Sequence, residues 1–530
     1  MASLGRASAI LGAGTLVSRI TGLVRSVVLV AALGSVGSGV ADAFAIANQL
    51  PNNIYAIIST GILTGVIVPQ IVRAAKHADG GGAFISKLLT LGTVVLVVVT
   101  GGATLAAPLL VQLFATFRGD QLALAIAFAY WCIPQLFFYG LYALVGETLN
   151  ARRVFGPYTW APIVNNVVSI AGFGAFIALF GPHQTAVEIW TPAMITLMGG
   201  TATLGIAAQA LLLLFFWRRA GVRVRPDFAW RGMGLRHMGR LAWWTFLMVV
   251  VGQIAGLVQT RIVTEASEAG ASIAAMNYAW FIFILPYSVI AVSIGTPYFT
   301  QLSEHAAAGR DDDVRADLGA SVTSLSFFMV GALAALAAAS LPVSRIFTES
   351  AADAVPFAQV LGAYLVGLIP LSILYIVQRT FYAYNDTIRP FLFTLVQAVL
   401  VIATALIAGA ILPLERLAAG IALGQSLAGV VQLAVAVWLL RRRLGRLGMA
   451  GSLRALVRFG IAAIPAALAG WGVFVWAGGL QGWMLESLWT GVAGTAVIGS
   501  VSLLVYVGAL ALLRAPELAV LGSVVRRLRR

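Results

Sequence analysis

Two arginines stand six residues apart in an otherwise apolar stretch, in the run Ser18-Arg19-Ile20-Thr21-Gly22-Leu23-Val24-Arg25. On a helix they lie about 9 Å apart along the axis and about 120° apart around it. One narrow seam cannot hold both, whereas a broad wet cavity can. Planar guanidinium donors match the oxygens of phosphate or pyrophosphate, so Arg19 and Arg25 are the first candidates for binding an anionic headgroup. Asp42 opens the next apolar run at a depth similar to Arg25, within reach of pairing with it. Pro51 follows in that run and removes a backbone donor, so the helix should bend or break there; Asn52 and Asn53 come next and can satisfy the freed backbone groups.

Other polar groups carry weaker signals. Arg261 lies near Glu265, where an ion pair explains it, and Arg379 stands near the end of an apolar run, where it can snorkel. Both remain secondary candidates for a substrate-facing surface. Asn165 and Asn166 read as interhelical hydrogen-bond glue. Glu147, Asn150, Arg152 and Arg153 read as solvated charge at a helix end. His77, His183, His237 and His305 are scattered and suggest no metal site, and Cys132, the single cysteine, allows no intramolecular disulfide. Ser86 precedes Lys87 and Ala75 precedes Lys76, so neither lysine has the glycine that a P-loop needs. No catalytic group, cofactor or nucleotide domain is expected, and the chain does not read as an enzyme.

The elements that position these residues follow from composition. The chain has 530 residues, 60% of them hydrophobic before its 56 glycines are counted, and only 10% charged. Mean hydropathy is +0.95. That leaves too little polar surface for a water-soluble particle and implies an all-α integral membrane fold. Windows of about 20 apolar residues place about 14 transmembrane helices near 8–33, 40–73, 84–113, 122–148, 158–181, 190–217, 238–264, 271–303, 317–345, 356–382, 389–412, 417–440, 455–478 and 489–513. Arg19 and Arg25 interrupt the first stretch, which therefore reads as a retained helix and not as a cleaved signal.

The net charge of +15 sits in short clusters between the apolar runs: Arg218, Arg219, Arg223, Arg225 and Arg231; Arg441, Arg442, Arg443 and Arg446; Arg526, Arg527, Arg529 and Arg530. These segments alternate with others holding Glu188, Glu265, Glu268, Glu349, Asp353, Glu415 and Glu486. The positive-inside rule then puts both termini in the cytoplasm, which needs an even number of crossings. The clusters point to anionic membrane lipids and not to nucleic acid.

An internal repeat sharpens the architecture. Arg19-Ile20-Thr21-Gly22-Leu23-Val24-Arg25 recurs as Gln253-Ile254-Ala255-Gly256-Leu257-Val258-Gln259, Leu50-Pro51 as Leu285-Pro286, and Pro157 as Pro390, in order and at nearly constant offset. Six helices per repeat give even parity, hence two pseudo-symmetric lobes inserted in the same sense: an N-terminal lobe over 1–235 and a C-terminal lobe over 236–446. Residues 447–530 supply two extra helices and a basic tail. Gln253 and Gln259 become secondary binding candidates, polar but uncharged where the first half has arginine, and Pro51 and Pro286 become paired hinge candidates. Alternating-access transport suits this design.

The motifs resemble those of the MurJ (MviN) lipid II flippases, within the multidrug/oligosaccharidyl-lipid/polysaccharide exporter superfamily. The resemblance rests on Ser18-Arg19, Gly22 and Arg25, on Asp42-Ala43-Phe44, Leu50-Pro51-Asn52 and Val68-Pro69, and on Phe381-Tyr382-Ala383 with Asn385-Asp386-Thr387 and Pro390. It covers nearly the whole chain and includes the count of fourteen helices. It implies a V-shaped two-lobe fold with a cationic central cavity in the bacterial inner membrane. The implied activity is transfer of undecaprenyl-pyrophosphate-linked disaccharide-pentapeptide to the outer leaflet for peptidoglycan synthesis, alongside cell-wall synthesis partners.

By position, Arg19, Arg25 and Asp42 match residues that the family uses in or around its cavity. The chain departs from the pattern at Ser26, where many members are acidic, and at Tyr55 and Ala56, where many carry arginines. It departs again at Trp280 and Phe281, in the stretch between Tyr278 and Pro286 where an arginine is familiar. The implied pyrophosphate site therefore relies more heavily on Arg19 and Arg25. A flippase for another polyprenyl-linked glycan and a cation-coupled drug exporter of the same superfold are the alternatives.

Overall fold

The computed structural model describes residues 2–59, 82–152, 154, 156–217, 225–229 and 235–518. Val68-Pro69, Lys76, His77, Arg153, Arg218, Arg219, Arg223, Arg231, Arg526, Arg527, Arg529 and Arg530 lie outside the described residues. Among those described, regular structure is helical throughout, with no strand. Among the described residues, twelve helical stretches, from Gly82–Leu105 to Leu488–Leu512, are long and apolar enough to cross a membrane. They coincide in order with the third to fourteenth expected spans. The first two expected spans correspond to α1 (Ala2–Leu33) and α2 (Gly39–Ile58), the rest of the second lying outside the described residues.

The chain divides into two compact units, Met1–Glu268 and Ala269–Arg530. In the first, α1 and α2 are joined by α3 (Gly82–Leu105), α4 (Ala107–Phe114), α5 (Gly119–Cys132), α6 (Gln135–Ala151), α7 (Gly156–Phe180), α8 (Pro192–Phe215) and α9 (Leu235–Val263). Helix α7 lies against both α1 and α8. Lipid tails are as apolar as leucine, so small residues and amides hold such helices together more than hydrophobicity does. A Cβ on Gly172 would stand 1.9 Å from Cγ2 of Thr201, and one on Gly205 would stand 2.4 Å from Oδ1 of Asn165, so glycine sets how closely α7 and α8 approach. Toward α1, the Asn166 amide donates to the Ser18 carbonyl at 3.1 Å and to the Thr21 hydroxyl at 2.9 Å. Asn166 is thus interhelical glue, as its sequence setting suggests.

Helix α2 opens on Ser38, whose hydroxyl accepts from the Ala41 amide at 3.1 Å. It stays helical through the buried Pro51 as far as Ile58. Of the bend or break expected at the proline, the break does not occur. One lost donor costs less at membrane depth than unwinding, which would free several backbone groups with no water to receive them. Helix α9 packs on α2 and α4 and so lies with the first unit.

The second unit runs through α10 (Ile273–Pro286), α11 (Val292–Ala307), α12 (Asp311–Ala338), α13 (Ser340–Arg345), α14 (Ala351–Leu365), α15 (Leu368–Ala383), α16 (Ile388–Ile411), α17 (Leu414–Leu444), α18 (Ala450–Trp476) and α19 (Leu488–Leu512). Directly after Pro286 the helix widens into a π-turn, Tyr287–Ala291, before α11 begins. Such turns mark interruptions of the hydrogen-bond ladder, often at functional positions.

The Asn385-Asp386-Thr387 motif has a local cause. Asn385 takes a left-handed φ of 55°, which turns the chain at the end of α15. The Asp386 carboxylate then accepts from the Arg389 amide at 3.1 Å and from the Arg389 and Arg443 side chains at 2.5 and 3.1 Å. Arg443 also lies over the Tyr384 ring at 4.4 Å, and the Tyr384 hydroxyl donates to Asp311. Burial first, and the Asp311 carboxylate second, push the Tyr384 phenol above its ordinary range, so it stays a donor at neutral pH. One turn thereby fastens the start of α12 to the end of α17.

The C-terminal pair α18 and α19 packs on α12, with the Phe327 ring 5.6 Å from Phe459 and 6.2 Å from Tyr506. Arg345 donates to the carbonyls of Leu485 and Glu486 at 2.8 and 3.1 Å and so holds the turn before α19. The contact of Gly205 with Asn165 gives a test. Gly205→Leu is expected to overpack it and to cost about 1–3 kcal/mol, read as lowered thermal unfolding in detergent, whereas Gly174→Ala, where an added Cβ meets nothing, should leave unfolding unchanged.

Candidate functional site

Helix α1 presents Ser18, Thr21 and Gly22 to Asn166 of α7, and this contact fixes how its arginines are displayed. Arg19 is half-buried, and no hydrogen bond or ion pair holds it among the described residues. Arg25 is half-buried as well, but it is partnered. It comes within electrostatic reach of the Tyr139 hydroxyl on α6.

Tyr139 starts a short chain of polar side chains across the unit. Its hydroxyl donates to Oε1 of Gln135 at 3.4 Å, and the Gln135 amide donates to Oδ1 of Asn48 on α2 at 3.2 Å. Gln135 is 1% exposed. The Tyr55 ring lies 5.7 Å from that of Tyr139. Arg25 therefore sits beside a polar seam built by α1, α2 and α6, at a depth where lone polar groups are costly. Sequence reasoning missed Asn48, Gln135 and Tyr139. The available signal was Gln135 and Tyr139 four residues apart, on one face of an apolar helix that follows Pro134.

Asp42 lies in the first turn of α2 and is 1% exposed. The Ser267 hydroxyl donates to its Oδ2 at 2.7 Å. Gln121 of α5 donates in turn to Ser267 at 2.7 Å and to the Gly39 carbonyl at 3.0 Å. A Cβ at Gly39 would stand 2.4 Å from a Glu268 carboxylate oxygen, so this crossing also requires glycine. Asp42 thus ties α2 to α5 and to the segment after α9. Near it an open pocket of about 570 Å³ is lined by Arg118, Asp120, Gln121, Glu188, Glu265 and Glu268.

Arg261 differs from its expected role. It donates to the carbonyls of Gln112 and Leu113, the latter at 3.2 Å, and caps the end of α4. No ion pair with Glu265 forms among the described residues. Carbonyls left without partners at a helix end attract a guanidinium, while Glu265 is exposed and can remain hydrated. Gln253 and Gln259 are half-buried on α9, and the Gln259 amide nitrogen is buried with no hydrogen-bond partner among the described residues. Asn52 is exposed.

In the second unit, Arg379 lies 4.8 Å from the Phe299 ring and 4.7 Å from the Tyr375 ring. Tyr375 in turn meets Tyr287, the first residue of the π-turn after Pro286, at 5.7 Å. Cation, aromatic pair and π-turn are therefore contiguous. Glu147 also departs from expectation. It is half-buried, next to Gly146, against which the Tyr158 ring packs.

A bundle of membrane-spanning helices with arginines and a polar seam at membrane depth, and a π-turn beside a proline, defines the class: a polytopic membrane transporter. The family model described as "Lipid II flippase MurJ" matches residues 30–493, and the chain belongs to that family. It is a lipid II flippase. The match begins after Arg19 and Arg25, which lie ahead of it.

A probable lipid II flippase MurJ of Haemophilus influenzae is 27% identical over 404 residues, covering 71% of this chain and 75% of the relative. Another, of Thermotoga maritima, is 26% identical over 419 residues, covering 78% and 80%. A solved lipid II flippase MurJ in an inward closed conformation superposes with a TM-score of 0.73 at 20% identity, covering 94% of this chain and 97% of that one. An inward-facing multidrug resistance MATE family transporter of the MOP superfamily follows at TM-score 0.60 and 16% identity, covering 78% and 94%. These two likenesses concern the fold alone.

The Asp42 relay yields a test. Ser267→Ala removes the hydroxyl donor from a buried carboxylate and is expected to cost about 1–3 kcal/mol, measured by thermal unfolding of the purified protein. Asp42→Asn added to Ser267→Ala should cost less than the two single changes summed, since both act on one bond.

Proposed function

We propose that the pyrophosphate of lipid II docks on Arg19 and Arg25 of α1, and that alternating access then carries the headgroup from the inner to the outer leaflet while the polyprenyl tail stays in lipid. The observation that supports this most is the setting of Arg25: half-buried, and bordered by the Asn48–Gln135–Tyr139 chain of polar groups. A guanidinium held there is partly freed of water, which strengthens a bidentate bond to phosphate. Arg19, without a described partner, is the more available of the two.

Asp42 and Asn52 complete the proposed surface, the former by fixing the outer end of α2 and the latter by its exposed amide. Gln253, Gln259, Arg261 and Arg379 play lesser parts, since the Arg261 guanidinium is engaged by carbonyls and that of Arg379 lies between aromatic rings. The two repeats, 1–235 and 236–446, act as the moving lobes, with 447–530 outside the repeat. Pro51 and Pro286 serve as hinges, the second supported by the π-turn that follows it.

The protein resides in the bacterial inner membrane with both termini cytoplasmic. Arg441, Arg442 and Arg446, at and just beyond the end of α17, face anionic headgroups on that side, near the proteins of cell-wall synthesis, while Arg443 is held by Asp386.

In a strain depleted of its own flippase, Arg25→Ala is expected to abolish complementation while the protein still inserts, and Arg25→Lys to restore growth in part. Losing one charged bidentate contact corresponds to about 1.5–3 kcal/mol, or roughly ten- to a hundredfold in affinity. Growth of Arg25→Ala at the wild-type rate would remove Arg25 from the mechanism.

A further inference from the structure

Arg379 stands near the end of α15, about 6 Å along the axis from its last residue, Ala383. Its guanidinium is walled by two rings, Phe299 of α11 at 4.8 Å and Tyr375 of α15 itself at 4.7 Å. Tyr375 lies so close on Gly295 of α11 that a Cβ there would overlap its ring. It also meets Tyr287, where the π-turn begins, edge to face at 5.7 Å. Arg379 is half-buried. Its Nε is buried without a hydrogen-bond partner among the described residues, and so is the Tyr375 hydroxyl. Two neighbouring side chains thus hold donors inside the protein with no acceptor.

The helices around α15 do not supply the missing charge. The four aspartates of α12 are engaged by Tyr384, Arg310, Arg315 and His305. Glu304 of α11 is exposed and makes no ion pair among the described residues. Neither the π-turn nor α16 carries an acidic residue, and Glu415 of α17 stands at the end opposite to Arg443. Aromatic faces return only part of the cost of withdrawing a cation from water, and they leave its in-plane N–H groups unbonded. A snorkelling arginine would carry its whole guanidinium to water; here one edge is turned inward. Orphaned donors of this kind mark the place of an acceptor. Nε, the Nη beside it and the Tyr375 hydroxyl make three donors. A flat carboxylate offers two oxygens, whereas phosphate offers at least three in a tetrahedral array.

We propose that Arg379 and Tyr375 form a binding site for a phosphate group in the second unit, filled by a lipid phosphate monoester of the adjacent leaflet or by free inorganic phosphate. The phosphate accepts from Nε and Nη of Arg379 side by side and from the Tyr375 hydroxyl, while Phe299 walls the guanidinium. Because Tyr287 meets Tyr375, an anion held there also steadies the π-turn after Pro286. The site needs neither Arg19 nor Arg25, which belong to the other unit, so it stands or falls apart from the lipid II reading above.

The test titrates the full-length protein, in an uncharged detergent, with dodecyl phosphate, inorganic phosphate and dodecanoate by calorimetry. It is run on wild type and on Arg19→Gln/Arg25→Gln, which removes the α1 dock. At least one of the two phosphates should still bind saturably to the double variant, and more tightly than dodecanoate. Dodecyl phosphate alone would make the source a lipid, and inorganic phosphate binding as well would make it the phosphate group itself. Adding Arg379→Gln should weaken that binding about tenfold or more. Tyr375→Phe removes one neutral donor and should weaken it about three- to tenfold; this variant serves if Arg379→Gln does not fold. Hydrogen exchange at Tyr287–Ala291 should slow when phosphate is bound. The proposal is overturned if neither phosphate binds once the α1 dock is removed, or if dodecanoate binds as tightly. Affinity unmoved by Arg379→Gln and Tyr375→Phe, or π-turn exchange unmoved by bound phosphate, overturns it equally.

Discussion

The hydrocarbon core of a membrane offers no water to a polar group, and this one constraint organises the structure. Every amide, hydroxyl or charge placed at depth must find a partner in the protein, reach a wet space, or neutralise itself. Asn166 takes the first course by bonding to α1, and Asp42 does the same through Ser267. Arg261 caps α4, and Arg379 lies between aromatic rings. Arg19 has neither carboxylate nor carbonyl partner among the described residues, which is the condition expected of a group reserved for an anionic ligand.

Most of the fold was legible in the sequence because hydrophobic run length is a strong signal in a membrane. The twelve apolar stretches fall where windows of about 20 residues put them. The glycines that control helix approach were not legible. Gly172 and Gly205 look like the many other glycines of this chain until Thr201 and Asn165 are seen across from them. Of the bend or break expected at Pro51, the break is absent for a related reason: a local rule about missing donors was outweighed by the cost of freeing further backbone groups in lipid. Pro286, with the same residue type at the repeated position, is followed by a π-turn, a difference no local reading could supply.

The candidate site was legible where charge was involved and obscure where it was not. Arg19, Arg25 and Asp42 stand out in a chain that is 10% charged. Asn48, Gln135 and Tyr139 do not, because their role depends on the contact between α2 and α6. Glu147 was misread because a carboxylate near a helix end is ordinarily hydrated; Tyr158 closing over Gly146 changes that. Arg261 was misjudged because proximity in sequence favoured Glu265, whereas the carbonyls that claim it lie about 150 residues earlier, at 112 and 113. Membership of the lipid II flippase family fixes the substrate class, and the polar groups of α1 and its neighbours suggest how its charged part is received.

The central claim is that guanidinium groups of α1 recognise the pyrophosphate and not the lipid tail. Binding of undecaprenyl pyrophosphate and of the uncharged undecaprenol to the purified protein tests it most directly, comparing wild type with the double variant Arg19→Gln/Arg25→Gln. The account predicts that wild type prefers the pyrophosphate by roughly ten- to a hundredfold or more, and that the double variant binds both lipids alike. A double variant that keeps the wild-type preference would contradict it.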